Sequence, residues 1–305
     1  MRKRRVGSDG PEVSVVGLGC NNFGTRINYA KTKKVVDAAL EAGVTLFDTA
    51  DIYGQGKSES HLGKALASWR EEVVVATKFG KPMDDGPDLP RGSRAYIRWA
   101  CEQSLRRLGA DHIDLYQMHE PDPATPIEVT LDALAELIDE GRVRFIGSSN
   151  FDVSQIEEAD RVARERGVPR FVSAQNRYSL IRREPRELLP TCERLGIGML
   201  PFFPLESGLL TGKYRRGRPA PEGTRLAGRD DVLTDEAFDK VERLERFAEE
   251  RGVSLLEVAI GGLAALSAVA SVIAGATKPE QVRANVAAGE WEPSAEDLEA
   301  LTQVG

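Results

Sequence analysis

The feature that most constrains the fold of this chain is a repeated alternation of short apolar runs and amphipathic segments. The eight apolar runs, each a predicted buried strand, occupy residues 15–19, 45–48, 73–78, 113–117, 144–148, 172–175, 198–201 and 272–275. Between the runs, apolar residues recur three and four positions apart, which is the periodicity of an amphipathic helix. Strands that alternate with helices pair in parallel through right-handed crossovers, and eight such units close into a barrel. The pattern therefore predicts an α/β fold, a (β/α)8 TIM barrel.

The spacing of the runs favours one domain over two. The chain has 305 residues, which at about 150 residues per domain suggests two domains. However, the first seven runs follow one another at intervals of about 30 residues, the size of a strand, a helix and two short loops. No linker or change of composition divides the chain, so we expect residues 1–305 to form a single barrel domain. The predicted helices cover residues 32–42, 58–68, 94–108, 127–140, 153–166 and 185–195.

Glycines support these helix ends, because the residue after a helix often adopts a left-handed conformation that suits glycine. The glycines just past five of the predicted helices are Gly43, Gly109, Gly141, Gly167 and Gly196.

Three segments depart from the regular repeat. Residues 4–13, with Asp9-Gly10 at the centre, are typical of a β-hairpin, which we expect to plug the mouth of the barrel opposite the active site. A polar loop at 80–92 lengthens one step, and a Gly/Arg/Pro-rich loop at 205–231 with an extra helix at 234–251 lengthens the last. Both loops follow strands, so they are expected on the face where barrels carry their active sites.

Composition limits the classes of partner. The chain has 41 Lys and Arg against 48 Asp and Glu, a formal net charge of −7, so it lacks the broad positive charge that nucleic acid or anionic lipid requires. Residues 258–277 are uncharged and long enough to span a bilayer, but half of them are Ala or Gly, which favours a buried helix followed by a buried strand. Small-molecule partners are therefore expected, and the sequence does not indicate an oligomeric state.

The cysteines indicate a reducing, cytoplasmic setting. There are three, Cys20, Cys101 and Cys192, and they lack the spacing of a disulfide framework or a zinc site. No metal site is therefore expected.

Four groups suited to proton transfer follow three neighbouring predicted strands: Asp48 and Tyr53 after the second, Lys78 at the end of the third and His119 after the fourth. A tyrosine, with a reference pKa of about 10, is a poor proton donor unless its phenolate is stabilised. A lysine ammonium beside it would do so, a carboxylate would keep that ammonium charged, and a histidine would orient a substrate oxygen. Each residue alone has an ordinary structural role, but together they predict protonation of a carbonyl oxygen.

The hydride for such a reaction must come from a bound cofactor, since no side chain donates hydride. The stretch GLGCNNFG is close to a Rossmann fingerprint, but Asn22 stands where the third glycine belongs. Later strand ends offer another cradle. Ser149, Asn150 and Gln175 could hydrogen-bond a carboxamide, and Phe202 could stack on a nicotinamide ring.

These residues lie in motifs that resemble the aldo-keto reductase superfamily from about residue 13 to 286, and most of all its bacterial, longer-looped branch related to potassium-channel β subunits. The motifs are FDTADIYG followed by SES, ATKFG, IDLYQMHEPD, GRVRFIGSSNF, SAQNRYSL, PFFPLESGLLTGKY and GATKPEQVRAN. The resemblance implies a barrel that binds NADPH without a Rossmann fold and reduces aldehydes or ketones, as an oxidoreductase acting on CH–OH groups. It implies a catalytic tetrad of Asp48, Tyr53, Lys78 and His119, with Tyr53 as the general acid.

The resemblance also implies cofactor contacts along the later strand ends. Ser149, Asn150 and Gln175 would hold the nicotinamide carboxamide, with its ring on Phe202. The remaining expected contacts are Leu205, Ser207 and Leu209 on the pyrophosphate, Gly275, Thr277, Lys278, Gln281 and Asn285 at the adenosine end, and Gly19, Cys20 and Asn21 after the first barrel strand.

Two departures from the family pattern matter. Glu206 replaces a small residue and places a carboxylate near the expected phosphates. Lys278, with Arg283 as an alternative, stands for the arginine that commonly meets the 2′-phosphate, and lysine lacks the bidentate guanidinium. NADPH is therefore expected, with NADH left open.

Two other functions remain open. The channel-subunit resemblance allows an NADPH-binding sensor or scaffold with only residual reductase activity, and Lys78 allows a Schiff-base or metal barrel enzyme, although ligand clusters are lacking. The substrate is left undetermined, because specificity in such barrels comes from loops, here 21–28, 81–92, 120–126 and 205–231.

Overall fold

The computed structural model describes residues 1–304, and its centre is a sheet of eight parallel strands. Along the chain, the strands are β1 (Lys3–Arg5), β2 (Glu12–Ser14), β3 (Val16–Gly19), β4 (Leu46–Asp48), β5 (Val74–Phe79), β6 (Ile113–Met118), β7 (Val143–Ser149), β8 (Ser173–Gln175), β9 (Gly198–Met199) and β10 (Val272–Gly275). The sheet has the order β10-β3-β4-β5-β6-β7-β8-β9, and bridges from Met199 to Val269 and from Phe202 to Ile273 close it. The predicted (β/α)8 barrel is confirmed.

Helices follow the strands on the outside of the barrel. They are α1 (Tyr29–Glu41), α2 (Lys57–Leu66), α3 (Arg94–Leu108), α4 (Ile127–Asp139), α5 (Val153–Arg166), α6 (Leu188–Leu195), α7 (Asp235–Glu250), α8 (Leu255–Ala264), α9 (Pro279–Ala288) and α10 (Ala295–Val304). α3 and α5 have the predicted bounds, and the other predicted helices, including the extra helix α7, begin and end within a few residues of theirs. α9 and α10 were not predicted.

Local sequence explains where the helices begin and end. Asp152 and Gln155 form a capping box at the start of α5, in which each side chain accepts a hydrogen bond from the other residue's backbone N–H group. All five glycines predicted to stop helices have positive φ, between 62° and 79°. A residue with a side chain would be strained there, which is why glycine marks these ends.

The N-terminal hairpin closes one mouth of the barrel, as predicted. β1 and β2 pair in antiparallel fashion, and the loop between them is tied to the barrel by a hydrogen bond from Ser8 N to Gly196 O of 2.8 Å. Val6 and Val13 are fully buried, in one apolar cluster with Leu46, Leu115 and other residues from inside the barrel. Within residues 1–304 the hairpin covers this mouth, and the cavity opens at the other mouth, where the strands end.

The uncharged segment at 258–277 forms most of α8 and all of β10, and its α8 residues are buried. None of the helices within residues 1–304 has both the length and the apolar content needed to cross a bilayer.

The two adjacent glycines of α8 offer a direct test of packing. A Cβ atom on Gly261 would lie 2.9 Å from the backbone oxygens of Ala288 and Trp291, whereas one on Gly262 would meet only side-chain methyl groups of Leu301 and Leu180, at 3.2 and 3.4 Å. Alanine stabilises a helix interior by about 0.5–1 kcal/mol over glycine. We expect Gly262→Ala to stay within about 1 kcal/mol of the parent and Gly261→Ala to lose about 1–3 kcal/mol.

Urea unfolding of the two variants measures this difference, and Gly262→Ala serves as the control for helix propensity. Equal stability of the two variants would show that α8 does not approach the backbone at 288–291 as closely as described.

Candidate active site

A cavity of about 960 Å³ opens at the carboxyl ends of the barrel strands. All the predicted site residues line it except Lys78 and Leu209. Those that do are Gly19, Cys20, Asn21, Asp48, Tyr53, His119, Ser149, Asn150, Gln175, Phe202, Leu205, Ser207, Gly275, Thr277, Lys278, Gln281 and Asn285. Lys78 lies behind the wall, fully buried, and Leu209 packs in the hydrophobic core. The parallel strands explain this clustering, because their carboxyl ends all meet at one mouth.

An ion pair between Lys78 and Asp48 lies beneath the cavity. The Lys78 ammonium group donates hydrogen bonds to both carboxylate oxygens of Asp48, at 2.7 and 2.8 Å, and to the backbone oxygen of Thr49 at 2.8 Å. Burial disfavours the charged ammonium, but the Asp48 carboxylate and the Tyr53 side chain together outweigh that effect, so the pKa of Lys78 is raised. The lysine is therefore a permanent cation, and as such it is a poor candidate for Schiff-base chemistry.

Tyr53 stands over this pair. Lys78 Nζ lies 5.3 Å from the centre of the Tyr53 ring. Burial raises the pKa of the Tyr53 phenol, and the nearby Lys78 charge offsets only part of that rise. The lysine acts in the direction expected from the sequence, but desolvation exceeds it. The phenol therefore keeps its proton at neutral pH.

His119 is neutral in this site. Its ring meets that of Tyr53 edge to face, with the centroids 6.0 Å apart. Burial, together with the positive charges of Lys78 and Lys81, lowers the pKa of His119 to about 2. Among residues 1–304, the ring Nδ1 atom has no hydrogen-bond partner. A neutral imidazole next to the tyrosine ring is suited to hydrogen-bonding a substrate oxygen.

Residues predicted to hold a carboxamide are themselves bonded to this set. Gln175 Nε2 donates to Asp48 Oδ1 at 2.8 Å, across the barrel. Asn150 Nδ2 donates to the backbone oxygen of His119 at 2.9 Å and to Ser149 Oγ at 3.1 Å. The amide oxygens of Gln175 and Asn150 take no part in these bonds and remain as acceptors for a ligand.

Glu206 does not line the cavity, although the residues on either side of it do. Its carboxylate is turned toward the segment after β8, where it accepts hydrogen bonds from Arg177 and, at 3.0 Å, from Ser179 Oγ. The backbone of Glu206 thus lies at the wall where the sequence led us to expect phosphates, but its carboxylate does not face that wall. The charge itself lies on the other side.

Several cations line the cavity that sequence reasoning did not identify as site residues: Arg26, Lys81, Lys213 and Arg225. Lys81 pairs with Glu120 at 2.8 Å. The other three form no salt bridge within the described part of the chain. Lys213 belongs to the PFFPLESGLLTGKY motif, so the sequence could have identified it as a site residue. The side chains of Arg26 and Arg225 are oriented by irregular loops, which the sequence alone does not predict.

The structure distinguishes Lys278 from Arg283, the two cations that the sequence offered for contact with a 2′-phosphate. Lys278 lines the cavity just before α9, whereas Arg283 points to Glu41, at 3.4 Å, and does not line it. Within residues 1–304, no group of three or more His, Cys, Asp or Glu side chains is arranged to hold a metal ion.

Comparison with known proteins gives a consistent picture. The model of the family described as "Aldo/keto reductase family" matches residues 15–305. The chain is 32% identical to the L-glyceraldehyde 3-phosphate reductase of Escherichia coli strain K12, over 94% of this chain and 87% of that protein. It is 35% identical to the uncharacterized oxidoreductase YqkF of Bacillus subtilis, over 99% and 95%. It is also 35% identical to a probable voltage-gated potassium channel subunit beta of Oryza sativa, over 94% and 91%.

A solved structure matches the whole chain. This is the holo form of the aldo-keto reductase AKR11C1 from Bacillus halodurans, with a TM-score of 0.85 and 33% identity over 100% of this chain and 96% of that one. The sequence resemblance and the barrel architecture are both confirmed by this match.

Burial of neutral His119 makes a prediction about acid stability. The pKa of His119 is about 2 in the folded chain and about 6.5 in an unfolded one. Between those values the unfolded state binds the extra proton, so stability falls as the pH drops below about 6.5. From about pH 5.5 to 4.5, we expect the parent to lose about 1.4 kcal/mol more than His119→Gln.

Urea unfolding at the two pH values measures this difference, and the same pair between about pH 9 and 8 is the control, because the imidazole does not titrate there. An identical acid dependence of the parent and the variant would mean that the buried imidazole is not held neutral.

Proposed function

The chain belongs to the aldo/keto reductase family, and we propose that it catalyses the reversible, NADPH-dependent reduction of aldehyde or ketone carbonyls to alcohols. This proposal rests mainly on one observation. Tyr53 and His119 lie side by side in the cavity, and the buried Lys78–Asp48 pair lies beneath them. That set can move a proton to an oxygen but offers no nucleophile for covalent catalysis.

The cavity suits a dinucleotide. It is larger than a small carbonyl compound needs, and it extends from the proton-transfer residues to the start of α9. Arg26, Lys213, Arg225 and Lys278 line it without acidic partners in the described residues, which favours a ligand with several phosphates. The N-terminus of α9 adds backbone N–H groups and the positive end of a helix dipole.

The nicotinamide end would be held by residues already bonded to the catalytic set. Gln175 and Asn150 keep amide oxygens that could accept hydrogen bonds from a carboxamide, and Ser149 is beside them. The Phe202 ring, which lines the same wall, could stack on the nicotinamide. The bound nicotinamide would supply hydride from its C4 atom.

The protein's own part in the reaction is to hold and deliver a proton. Tyr53 keeps its phenolic proton until the carbonyl oxygen becomes basic and then donates it. Negative charge then develops on the phenolate beside the Lys78 ammonium, which stabilises it without reorganisation. Asp48 holds that ammonium in place, and neutral His119 hydrogen-bonds the carbonyl oxygen and orients it. In alcohol oxidation the same groups work in reverse.

The relatives extend this proposal in two directions. One is named for reduction of a phosphorylated aldehyde, which is consistent with the carbonyl class proposed for this chain. Another is named as a probable channel subunit, which favours the alternative of an NADPH-binding sensor with residual turnover.

The three cysteines are free thiols in the described structure, and we propose that the protein is located in the reducing cytoplasm.

Removing the Tyr53 hydroxyl tests the proposed proton donor. General acid catalysis contributes about 10²- to 10⁴-fold, so we expect Tyr53→Phe to lower kcat for carbonyl reduction at least about 100-fold. NADPH binding should stay within about threefold, because the hydroxyl faces the substrate. The measurements are steady-state reduction of a panel of aldehydes, ketones, quinones and sugars, and NADPH binding by fluorescence.

Tyr116→Phe is the matched control, since Tyr116 is fully buried outside the cavity and its hydroxyl has no hydrogen-bond partner in the described residues. Retention of activity within a few-fold by Tyr53→Phe would assign the proton to another group. A parent that binds NADPH tightly but reduces nothing in the panel would favour the sensor alternative.

Cofactor preference should depend on Lys278. A charge-assisted contact with the 2′-phosphate is worth about 1.5–3 kcal/mol, so we expect Lys278→Ala to raise the Kd for NADPH at least about tenfold more than that for NADH. Arg283→Ala, within α9 but paired outside the cavity with Glu41, should leave the ratio unchanged. If the ratio is the same in Lys278→Ala and the parent, another cation recognises the 2′-phosphate, or NADH is the preferred cofactor.

A further inference from the structure

The backbone turn at Glu206–Gly208 has an unusual conformation. Glu206, Ser207 and Gly208 all have positive φ, at 42°, 59° and 94°. This left-handed region is free of strain for glycine but unfavourable for the two residues that carry side chains. Contacts elsewhere must therefore hold the turn in place.

The contacts come from the Glu206 side chain. The Glu206 residue is only 5% exposed. Arg177 and fully buried Ser179 donate hydrogen bonds to it, and Arg182 Nε lies 3.9 Å away. Both donors belong to the segment that follows β8, so the carboxylate ties the turn to a neighbouring part of the barrel rim.

The other side of the turn faces the cavity. Leu205, Ser207 and Gly208 line it, and the backbone N–H of Ser207 has no acceptor among residues 1–304. Lys213 is immediately adjacent, because a Cβ atom on Gly208 would lie 2.5 Å from its Nζ atom. A turn that presents a free N–H group next to an ammonium group is suited to bind an anion.

From this arrangement we infer that Glu206 is a positioning residue. Its buried carboxylate, paired with the Arg177 cation and hydrogen-bonded by Ser179 on one side, holds the left-handed turn whose opposite side binds the diphosphate of the dinucleotide. The inference rests on the proposed function, since it assumes a dinucleotide ligand. An acidic residue in an anion-binding loop would ordinarily repel the ligand. Here the negative charge of Glu206 pairs with Arg177 and stabilises the conformation of the loop.

The test compares ligands that contain or lack the diphosphate. The variants are Glu206→Gln and Arg177→Gln, and the ligands are NADPH, ADP-ribose and adenosine 2′-monophosphate, titrated by calorimetry. Loss of a charge-assisted anchor should raise the Kd for NADPH and ADP-ribose about tenfold. The Kd for adenosine 2′-monophosphate, which has no diphosphate, should change less than about twofold. At saturating NADPH, kcat should stay within about threefold of the parent.

Glu245→Gln is the matched control. Glu245 lies in α7 and pairs with Arg215, which belongs to the same loop as the turn but lies outside residues 206–208. It should bind all three ligands as the parent does. Arg177 is 42% exposed, so Arg177→Gln decides the test if Glu206→Gln does not fold.

Two results would overturn the inference: unchanged ADP-ribose binding in the folded variants, or an equal loss for all three ligands, which indicates a general structural role. A parent that binds neither NADPH nor NADH would remove the proposed function as well. The two failures are distinguishable, because loss of the proposed function shows in the parent protein, whereas failure of the inference shows only in the variants.

Discussion

The buried ion pair between Lys78 and Asp48 is the interaction on which the rest of the site depends. Burying two charges costs several kcal/mol per ion unless the geometry is good and the remaining hydrogen bonds are made. Lys78 meets that requirement with three acceptors, and these come from the end of β4 and the residue after it. Lys78 lies on β5, so β4 and β5 must stay in parallel register, with Asp48 opposite Ala76. The closed barrel and the apolar hairpin plug beneath it maintain that register.

The pair also connects two halves of the barrel. Gln175, which is 127 residues from Asp48 in sequence, donates to the same carboxylate that holds Lys78. Asn150 is bonded to the backbone of His119 in a similar way. The residues proposed to hold the nicotinamide and those proposed to move the proton thus form one hydrogen-bonded set. A substitution at Gln175 would act on both, and its effect could not be assigned to cofactor binding alone.

The long loops form the remaining walls, and their chemistry is less regular. The loop after β9 contributes an anion-facing turn, Lys213 and Arg225, and Arg225 bonds Asn22 of the loop after β3 at 3.0 Å. That contact joins the two sides of the cavity mouth. A buried carboxylate at Glu206 supports this wall although its charge is opposite to the one a phosphate site requires, because the side chain and the backbone N–H groups face different directions.

The sequence by itself determined the barrel and the hairpin, and it identified the four residues proposed to transfer the proton. Periodicity and glycine stops are local signals, and parallel strands necessarily end at one mouth, so residues after successive strands, such as Asp48, Lys78 and His119, had to converge. Only the tertiary structure decided that desolvation outweighs Lys78 in setting the pKa of Tyr53. It alone also decided that Glu206 turns away from the cavity while Arg225 lines it. These outcomes depend on burial and on side-chain directions in irregular loops, which are set by contacts between residues far apart in the chain.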